Sequence, residues 1–64
     1  MTQEMKTAIE TALKNVNDMR NAQTDKEEEK AYNYFRMGME KALELMGCHV
    51  EFNCIDGTFK VETV

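Results

Sequence analysis

The sequence has no proline, no internal repeat and no low-complexity tract, so nothing in it marks a linker between domains. We therefore expect one domain over residues 1–64. The sequence also lacks a long apolar run, and charged residues appear as early as Glu4 and Lys6. Such a pattern has neither the apolar stretch of a secretion signal nor the length of a membrane-spanning segment. We expect a cytoplasmic protein with no membrane partner.

Basic residues are in the minority: 8 lysines and arginines stand against 12 aspartates and glutamates, for a net charge of −4. The field of such a chain repels a phosphate backbone, so we expect no nucleic-acid partner. The sequence also contains no phosphate-cradling glycine loop, and its single histidine offers no Ser/His/Asp set. These absences argue against nucleotide binding and against hydrolysis by a Ser/His/Asp catalytic triad.

Cysteine is scarce, and the two that are present, Cys48 and Cys54, fall in one predicted strand. Six residues at about 3.3 Å each hold their Cα atoms roughly 20 Å apart, which excludes a disulfide between them. We expect two free, buried thiols, as in a reducing compartment. A chain of 64 residues has a small core, and small domains are often stabilised further by a disulfide, a metal ion or self-association. Without a disulfide, a metal ion or a second copy of the chain remains.

Apolar residues recur every three or four positions up to Gly47, which predicts two amphipathic helices. The first helix spans residues 2–22. Polar residues then interrupt the pattern, and Thr24 and Glu27 have the spacing of a capping box, so the second helix spans 25–46. The short turn predicts an antiparallel helical hairpin. The stripes assigned to the core are Met5, Ile9, Ala12, Val16 and Met19 in the first helix and Tyr32, Phe35, Met39, Ala42 and Met46 in the second.

The apolar arc of the second helix is wider than one helical partner requires. Wound at about 100° per residue, the arc runs from Tyr34 and Leu45 on one flank to Leu43 on the other. We expect this helix to contact the first helix on one side and the hairpin or a second chain on the other. Gly38 lies inside the arc and predicts a close backbone approach, because glycine otherwise costs a helix about 1 kcal/mol relative to alanine.

After Gly47, which we expect in the left-handed conformation that closes the helix, apolar residues alternate with polar ones. This period predicts strands over 48–55 and 58–64, joined by a two-residue Asp56-Gly57 turn. The predicted fold class is therefore α+β, an ααββ arrangement, with extension to a four-stranded sheet across a homodimer as an option. In this register Cys54–Phe59, Phe52–Val61 and Val50–Thr63 pair on the buried face, and Asn53–Lys60, Glu51–Glu62 and His49–Val64 pair on the polar face.

The only concentrated reactive side chains lie near the predicted hairpin. Cys48 and His49 are adjacent on a strand and point to opposite faces, which argues against a thiol-imidazole dyad. We predict no catalytic residue, no cofactor and no enzymatic activity. His49, Glu51 and Glu62 share the polar face and form a weak candidate metal site, without CxxC or HExxH spacing. A solvated polar face is the preferred interpretation of these three residues.

Met37 lies nearly opposite the apolar stripe of the second helix, with Tyr34 close by, and Leu45 lies at the flank of the arc. We expect these three residues to be exposed apolar anchors for a protein partner. The favoured hypothesis is a non-enzymatic interaction module that self-associates as a homodimer. Two alternatives remain: an acidic regulator or inhibitor that binds a basic protein surface, and a weak metal-binding protein that uses the polar hairpin face.

Overall fold

Two helices precede one β-hairpin in the computed structural model, which describes residues 1–63. The helices are α1, Gln3–Ala22, and α2, Lys26–Leu45, and the strands are β1, Cys48–Asn53, and β2, Thr58–Thr63. The strands pair antiparallel in a two-stranded sheet, which confirms the predicted ααββ order. α1 packs against α2 and β2, and α2 also packs against β1. Within the described residues, neither helix combines the length and the apolar character that a membrane crossing needs.

Each helix begins at a side chain that caps its free N–H groups. The Thr2 hydroxyl accepts a hydrogen bond from the Met5 N–H at 3.1 Å, and the Asp25 carboxylate accepts one from the Glu27 N–H at 2.8 Å. The cap of α2 is therefore Asp25, and the predicted capping box at Thr24 is wrong. Asp25 has the extended backbone of an N-cap, and its negative charge interacts favourably with the helix dipole, which a neutral hydroxyl does not.

Gly47 ends α2 as the sequence predicts. Its φ of 83° lies in the left-handed region, and its N–H donates to the Glu44 carbonyl at 3.0 Å. Glycine adopts this conformation without the steric strain that a Cβ atom would cause. The chain therefore reverses direction at Gly47 and enters β1 at the next residue, the buried Cys48.

The loop of the hairpin is longer than the sequence predicts. A two-residue turn of the kind that Asp-Gly favours requires a positive φ at both residues, but Asp56 has a negative φ and only Gly57 has a positive one, at 72°. Side chains bind the loop backbone instead. The Asn53 carboxamide oxygen accepts a hydrogen bond from the Ile55 N–H at 2.9 Å, and the Asp56 carboxylate accepts one from the Thr58 N–H at 3.0 Å. The two-residue turn and the strand 48–55 are thus wrong, because β1 ends at Asn53.

The strand register is shifted by two residues from the predicted one. A shift by two keeps every residue on its predicted face, because side chains alternate with a period of two. Cys54, however, leaves the strand and is exposed, which overturns its predicted burial opposite Phe59. The predicted partner of His49, Val64, lies outside the described residues. The observed pairs are Cys48–Thr63, His49–Glu62, Val50–Val61, Glu51–Lys60, Phe52–Phe59 and Asn53–Thr58.

The buried core lies where the two helices meet the sheet. Both helices are rotated about their axes relative to the predicted stripes, so that α1 turns Leu13 and Asn17 inward and α2 turns Leu43 inward. Several residues that periodicity assigned to the core are exposed as a result: Met5, Met19, Phe35 and Met46 of the helical stripes, together with Phe52 of β1. The core consists of Leu13, Leu43, Cys48, Phe59 and Val61, with Ile9, Met39 and Val50 packed against it.

Candidate interaction surface

The outward side of α2 is apolar from its second turn to its end. Wound at about 100° per residue, Ala31, Gly38 and Ala42 form the middle of this side, and larger residues flank them. No charged side chain interrupts the arc between positions 31 and 46. We call this surface the α2 apolar face: Ala31, Tyr34, Phe35, Gly38, Ala42, Leu45 and Met46. Its large members are exposed, Tyr34 by 68%, Phe35 by 61%, Leu45 by 79% and Met46 by 65%.

The opposite side of α2 is organised around Arg36, whose guanidinium joins both helices to the sheet. Its Cζ atom lies 4.6 Å from the centre of the Phe52 ring and 4.8 Å from the centre of the Phe59 ring. Its Nη1 donates to Asn17 Oδ1 at 3.0 Å, and its Nε donates to Glu40 Oε1 at 3.0 Å. The two ring centres lie only 4.8 Å apart, so the cation lies over a pair of adjacent rings and is stabilised by both. The inward side of α2 therefore combines the charged Arg36 with the apolar Leu43 and Met39.

The inward side of α1 likewise carries polar groups beside the buried Leu13. Asn17 is buried, with 3% of its surface exposed, and the Glu10 carboxylate accepts a hydrogen bond from the Val61 backbone N–H at 2.8 Å. Met5 and Met19 remain exposed, and Met19 lies about 180° around the helix from Glu10. Part of each apolar stripe is thus exposed, Met5 and Met19 in α1 and Phe35 and Met46 in α2, while Ile9 and Met39 pack against the core.

Gly38 makes no close contact inside this chain. Apart from its two neighbouring residues and the local backbone of α2, a Cβ atom built on it would meet no other atom within 4 Å. The close backbone approach that the sequence predicts at this position is therefore absent within residues 1–63. Because the helix still bears the cost of a glycine, its presence is not explained by the packing of one copy.

The three predicted anchor residues are all exposed, but they do not lie together. Tyr34 and Leu45 belong to the α2 apolar face. Met37, 53% exposed, lies outside this face, toward the side that carries Glu44. Its sulfur accepts a weak hydrogen bond from Asn33 Nδ2 at 4.0 Å. Only Tyr34 and Leu45 therefore share a surface with the other exposed apolar residues of α2.

The polar face of the sheet does not gather the candidate metal ligands. The observed register pairs His49 with Glu62 and Glu51 with Lys60, so the predicted juxtaposition of the two glutamates is wrong. His49 Nε2 lies 3.4 Å from Glu51 Oε1, whereas Glu62 Oε1 lies 3.0 Å from Lys60 Nζ. Among residues 1–63, no three His, Cys, Asp or Glu side chains are grouped so that they could hold a metal ion.

Lys60 and Glu62 form an ion pair on this polar face. The hydrogen bond from Lys60 and the attraction of its charge lower the pKa of Glu62, and the same interactions raise the pKa of Lys60. Both groups are therefore charged throughout the neutral pH range. The pair lies in solvent, where water and salt screen it, so it adds little to stability. Lys60 thus already binds the Glu62 carboxylate, which a metal ion at this face would need as a ligand.

Cys48 and His49 point to opposite sides of β1, as strand alternation predicts. Cys48 is 6% exposed, whereas the His49 side chain is 58% exposed. The thiol therefore lies in the core and the imidazole in solvent. An imidazole must lie within hydrogen-bond reach of a thiol to activate it, and these two do not.

Two small depressions lie on the surface of the described residues. One, of about 150 Å³, lies between α1 and β2 and is lined in part by Thr11, Lys14 and Thr58. Another, of about 210 Å³, lies against the sheet beside Phe52 and Lys60. Pockets that enclose a small molecule usually measure about 300 to 1,000 Å³. Neither depression has the size of such a pocket.

Comparison with known proteins adds no family to these observations. The chain matches no protein-family model, and comparison with curated proteins and with solved structures returns no match. What the chain does is therefore inferred from its own geometry.

Proposed function

We propose that this protein is a small non-enzymatic interaction module that self-associates as a homodimer through the α2 apolar face. The observation that carries this proposal is the exposure of four large apolar side chains on one uninterrupted side of α2. Contiguous apolar surface of this kind is typical of interaction sites. A second copy would shield these side chains from water and add burial to a core that holds few residues.

The exposed area is large enough for a specific contact. At roughly 200 Å² for a large side chain, Tyr34, Phe35, Leu45 and Met46 together expose roughly 500 Å² per copy. Each partner in a standard protein interface contributes about 800 Å². The face therefore supplies more than half of such an interface.

Self-association accounts for the surface better than the binding of a basic partner does. A protein that neutralises a basic surface presents a continuous negative field. Here ion pairs intersperse basic groups among the carboxylates, as at Lys14–Asp18, Arg20–Glu29, Arg36–Glu40, Lys41–Glu44 and Lys60–Glu62. The α2 apolar face, by contrast, carries no charge.

We place the protein in the cytoplasm because of its thiols. Cys48 and Cys54 are both free, and Cys54 is exposed and would be open to oxidation outside the cell. A reducing compartment keeps such a thiol in its free form.

The mass of the protein in solution tests the proposal. Light scattering behind a sizing column, repeated from low to high micromolar concentration, should show a mass that rises to twice the 7.4 kDa of one chain. High salt should leave this association intact or strengthen it, because apolar burial does not depend on charge attraction. A mass of 7.4 kDa at every concentration would overturn the proposal.

A further inference from the structure

We infer that α2 pairs antiparallel with α2 of a second copy, and that the two helices cross at Gly38. This inference rests on the self-association proposed above and specifies its surface and its geometry. The sizes of the side chains around Gly38, the space at Gly38 and the charges at the start of α2 support it independently.

The α2 apolar face is complementary to itself when it is reversed about Gly38. Tyr34 and Ala42 each lie four residues from Gly38, and Ala31 and Leu45 each lie seven residues from it. In an antiparallel pair that crosses at Gly38, Tyr34 meets the partner's Ala42, and Leu45 meets the partner's Ala31. Tyr34 and Leu45 thus each lie over a small side chain, which is how closely packed interfaces interdigitate, and Phe35 and Met46 lie at the positions of the partner's Lys41 and the partner's Lys30. In a parallel pair, large side chains would meet large ones and small would meet small.

Gly38 provides the closest point of approach. Beyond its two neighbouring residues and the local backbone of α2, no atom lies within 4 Å of a Cβ built there, so the space above the glycine is open to another backbone. The distance between two packed helices depends on the side chains at their contact, and it is shortest where those are small. A crossing at Gly38 therefore gives a use to a residue that the packing of one copy leaves unexplained.

The charges at the start of α2 favour the antiparallel direction. Its cap and first turn carry four carboxylates, Asp25, Glu27, Glu28 and Glu29, and one lysine, Lys26. In a parallel pair, the two acidic turns would lie side by side and repel each other. An antiparallel pair separates them by about the length of a helix, which removes this repulsion.

The outer edge of β1 is the competing surface for a dimer. β1 has one neighbouring strand among residues 1–63, so a second copy could extend the sheet there. Such a dimer would leave the α2 apolar face in water. It would also place the exposed polar side chains of His49 and Glu51 next to the added strands, instead of burying apolar side chains there. The α2 face is therefore the surface that we assign.

A pair of charge substitutions tests the surface. Phe35→Glu places two carboxylates inside the proposed interface and should raise the dimer dissociation constant at least about 100-fold. Met37→Glu is the matched control, since Met37 is exposed to a similar extent on the same helix but lies outside the face. It should leave the dissociation constant unchanged, and circular dichroism should show both variants folded.

A distance between spin labels tests the direction and uses the folded dimer itself. In a Cys54→Ser background, a label on Lys30→Cys is the reactive position, because Cys48 is buried. In an antiparallel pair that crosses at Gly38, the two labelled backbones lie about 24 Å apart along the helix axes. In a parallel pair, only the interaxial distance of about 8 to 10 Å separates them.

The outcomes separate this inference from the proposal beneath it. A native protein that stays monomeric overturns both. A dimer that Phe35→Glu leaves intact overturns the α2 surface and assigns the dimer to another one such as the β1 edge, while self-association stands. A short label separation overturns the antiparallel crossing. A weakened Phe35→Glu dimer together with a long label separation supports the inference in full.

Discussion

The carboxylate of Glu10 accepts a hydrogen bond from the backbone N–H of Val61 at 2.8 Å, across 51 positions of the chain. Val61 lies in β2, where an outward N–H is otherwise a site for another strand. The residue is fully buried, so a water molecule cannot easily replace the carboxylate. One side chain of α1 thus closes part of the edge of the sheet and holds the first helix against the last strand.

Removal of the Glu10 carboxylate should destabilise the fold. Glu10→Ala leaves the Val61 N–H buried without an acceptor, and we expect the free energy of unfolding to fall by about 1.5 to 3 kcal/mol. Glu10→Gln retains an acceptor oxygen and should lose less. Urea denaturation measures both, with Asn15→Ala on the exposed side of α1 as the control. Equal urea midpoints for Glu10→Ala and Asn15→Ala would show that the bond contributes nothing.

Arg36 should be the most sensitive polar residue of α2. Arg36→Met removes the cation from the Phe52 and Phe59 rings and leaves the buried Asn17 amide without its partner, at a cost of about 3 kcal/mol. Lys41→Met, an exposed change on the same helix, should alter stability by less than about 0.5 kcal/mol. Thermal and urea unfolding of both variants check this difference.

A double-mutant cycle distinguishes the hydrogen bond of Arg36 from its ring contacts. In the combination of Arg36→Met with Asn17→Leu, no amide is left buried and unpaired. The combined loss should therefore be smaller than the sum of the two single losses. Strict additivity would mean that the Arg36–Asn17 bond does not couple the helices.

Two glycine substitutions should have opposite effects on the free energy of unfolding. Gly38→Ala places a methyl group in open space and should stabilise the isolated chain by about 1 kcal/mol, because alanine favours a helix. Gly47→Ala should destabilise it by about 1 to 2 kcal/mol, because the φ of 83° strains any residue with a Cβ. Unfolding at concentrations where the native protein is monomeric measures both. Stabilisation by Gly47→Ala would contradict the left-handed end of α2.

The hairpin loop should lose stability in acid. The Thr58 hydroxyl donates to Asp56 Oδ1 at 2.6 Å, and this bond holds the pKa of Asp56 below its ordinary value of 3.8. A carboxyl whose pKa is lower in the folded state stabilises the fold above its unfolded pKa, and that contribution is lost as the pH falls through the folded pKa. The difference in unfolding free energy between the native chain and Asp56→Asn should therefore shrink in acid. A difference that is constant with pH would refute this role.

The two cysteines should differ in reactivity. Cys54 is exposed in the loop and Cys48 is buried in the core. A thiol reagent should therefore modify Cys54 quickly and Cys48 only when the fold opens. Cys54→Ser should abolish the fast phase and keep the slow one. Two fast phases in the native protein would contradict the burial of Cys48.

Part of the interaction surface could be predicted from the width of the apolar arc on α2. Tyr34 and Leu45 lie at its flank and were expected to be exposed. Phe35 and Met46 lie at its centre, and periodicity assigned them to the core. An arc wider than the chain can cover does not specify which part of it is covered. That choice depends on Arg36, which is not part of the apolar pattern but lies over two adjacent rings of the sheet.

The sequence by itself determined the type and order of the elements, the end of α2 at Gly47 and the two faces of the sheet. Each of these follows from local conformation or from a period of a few residues, which the chain carries whatever it packs against. The tertiary structure decided the rotation of the helices and the register of the hairpin. Contacts between distant residues, such as Glu10 with Val61, select the rotation. The side chains of Asn53 and Asp56 select the loop, because they satisfy its backbone donors more fully than a two-residue turn would.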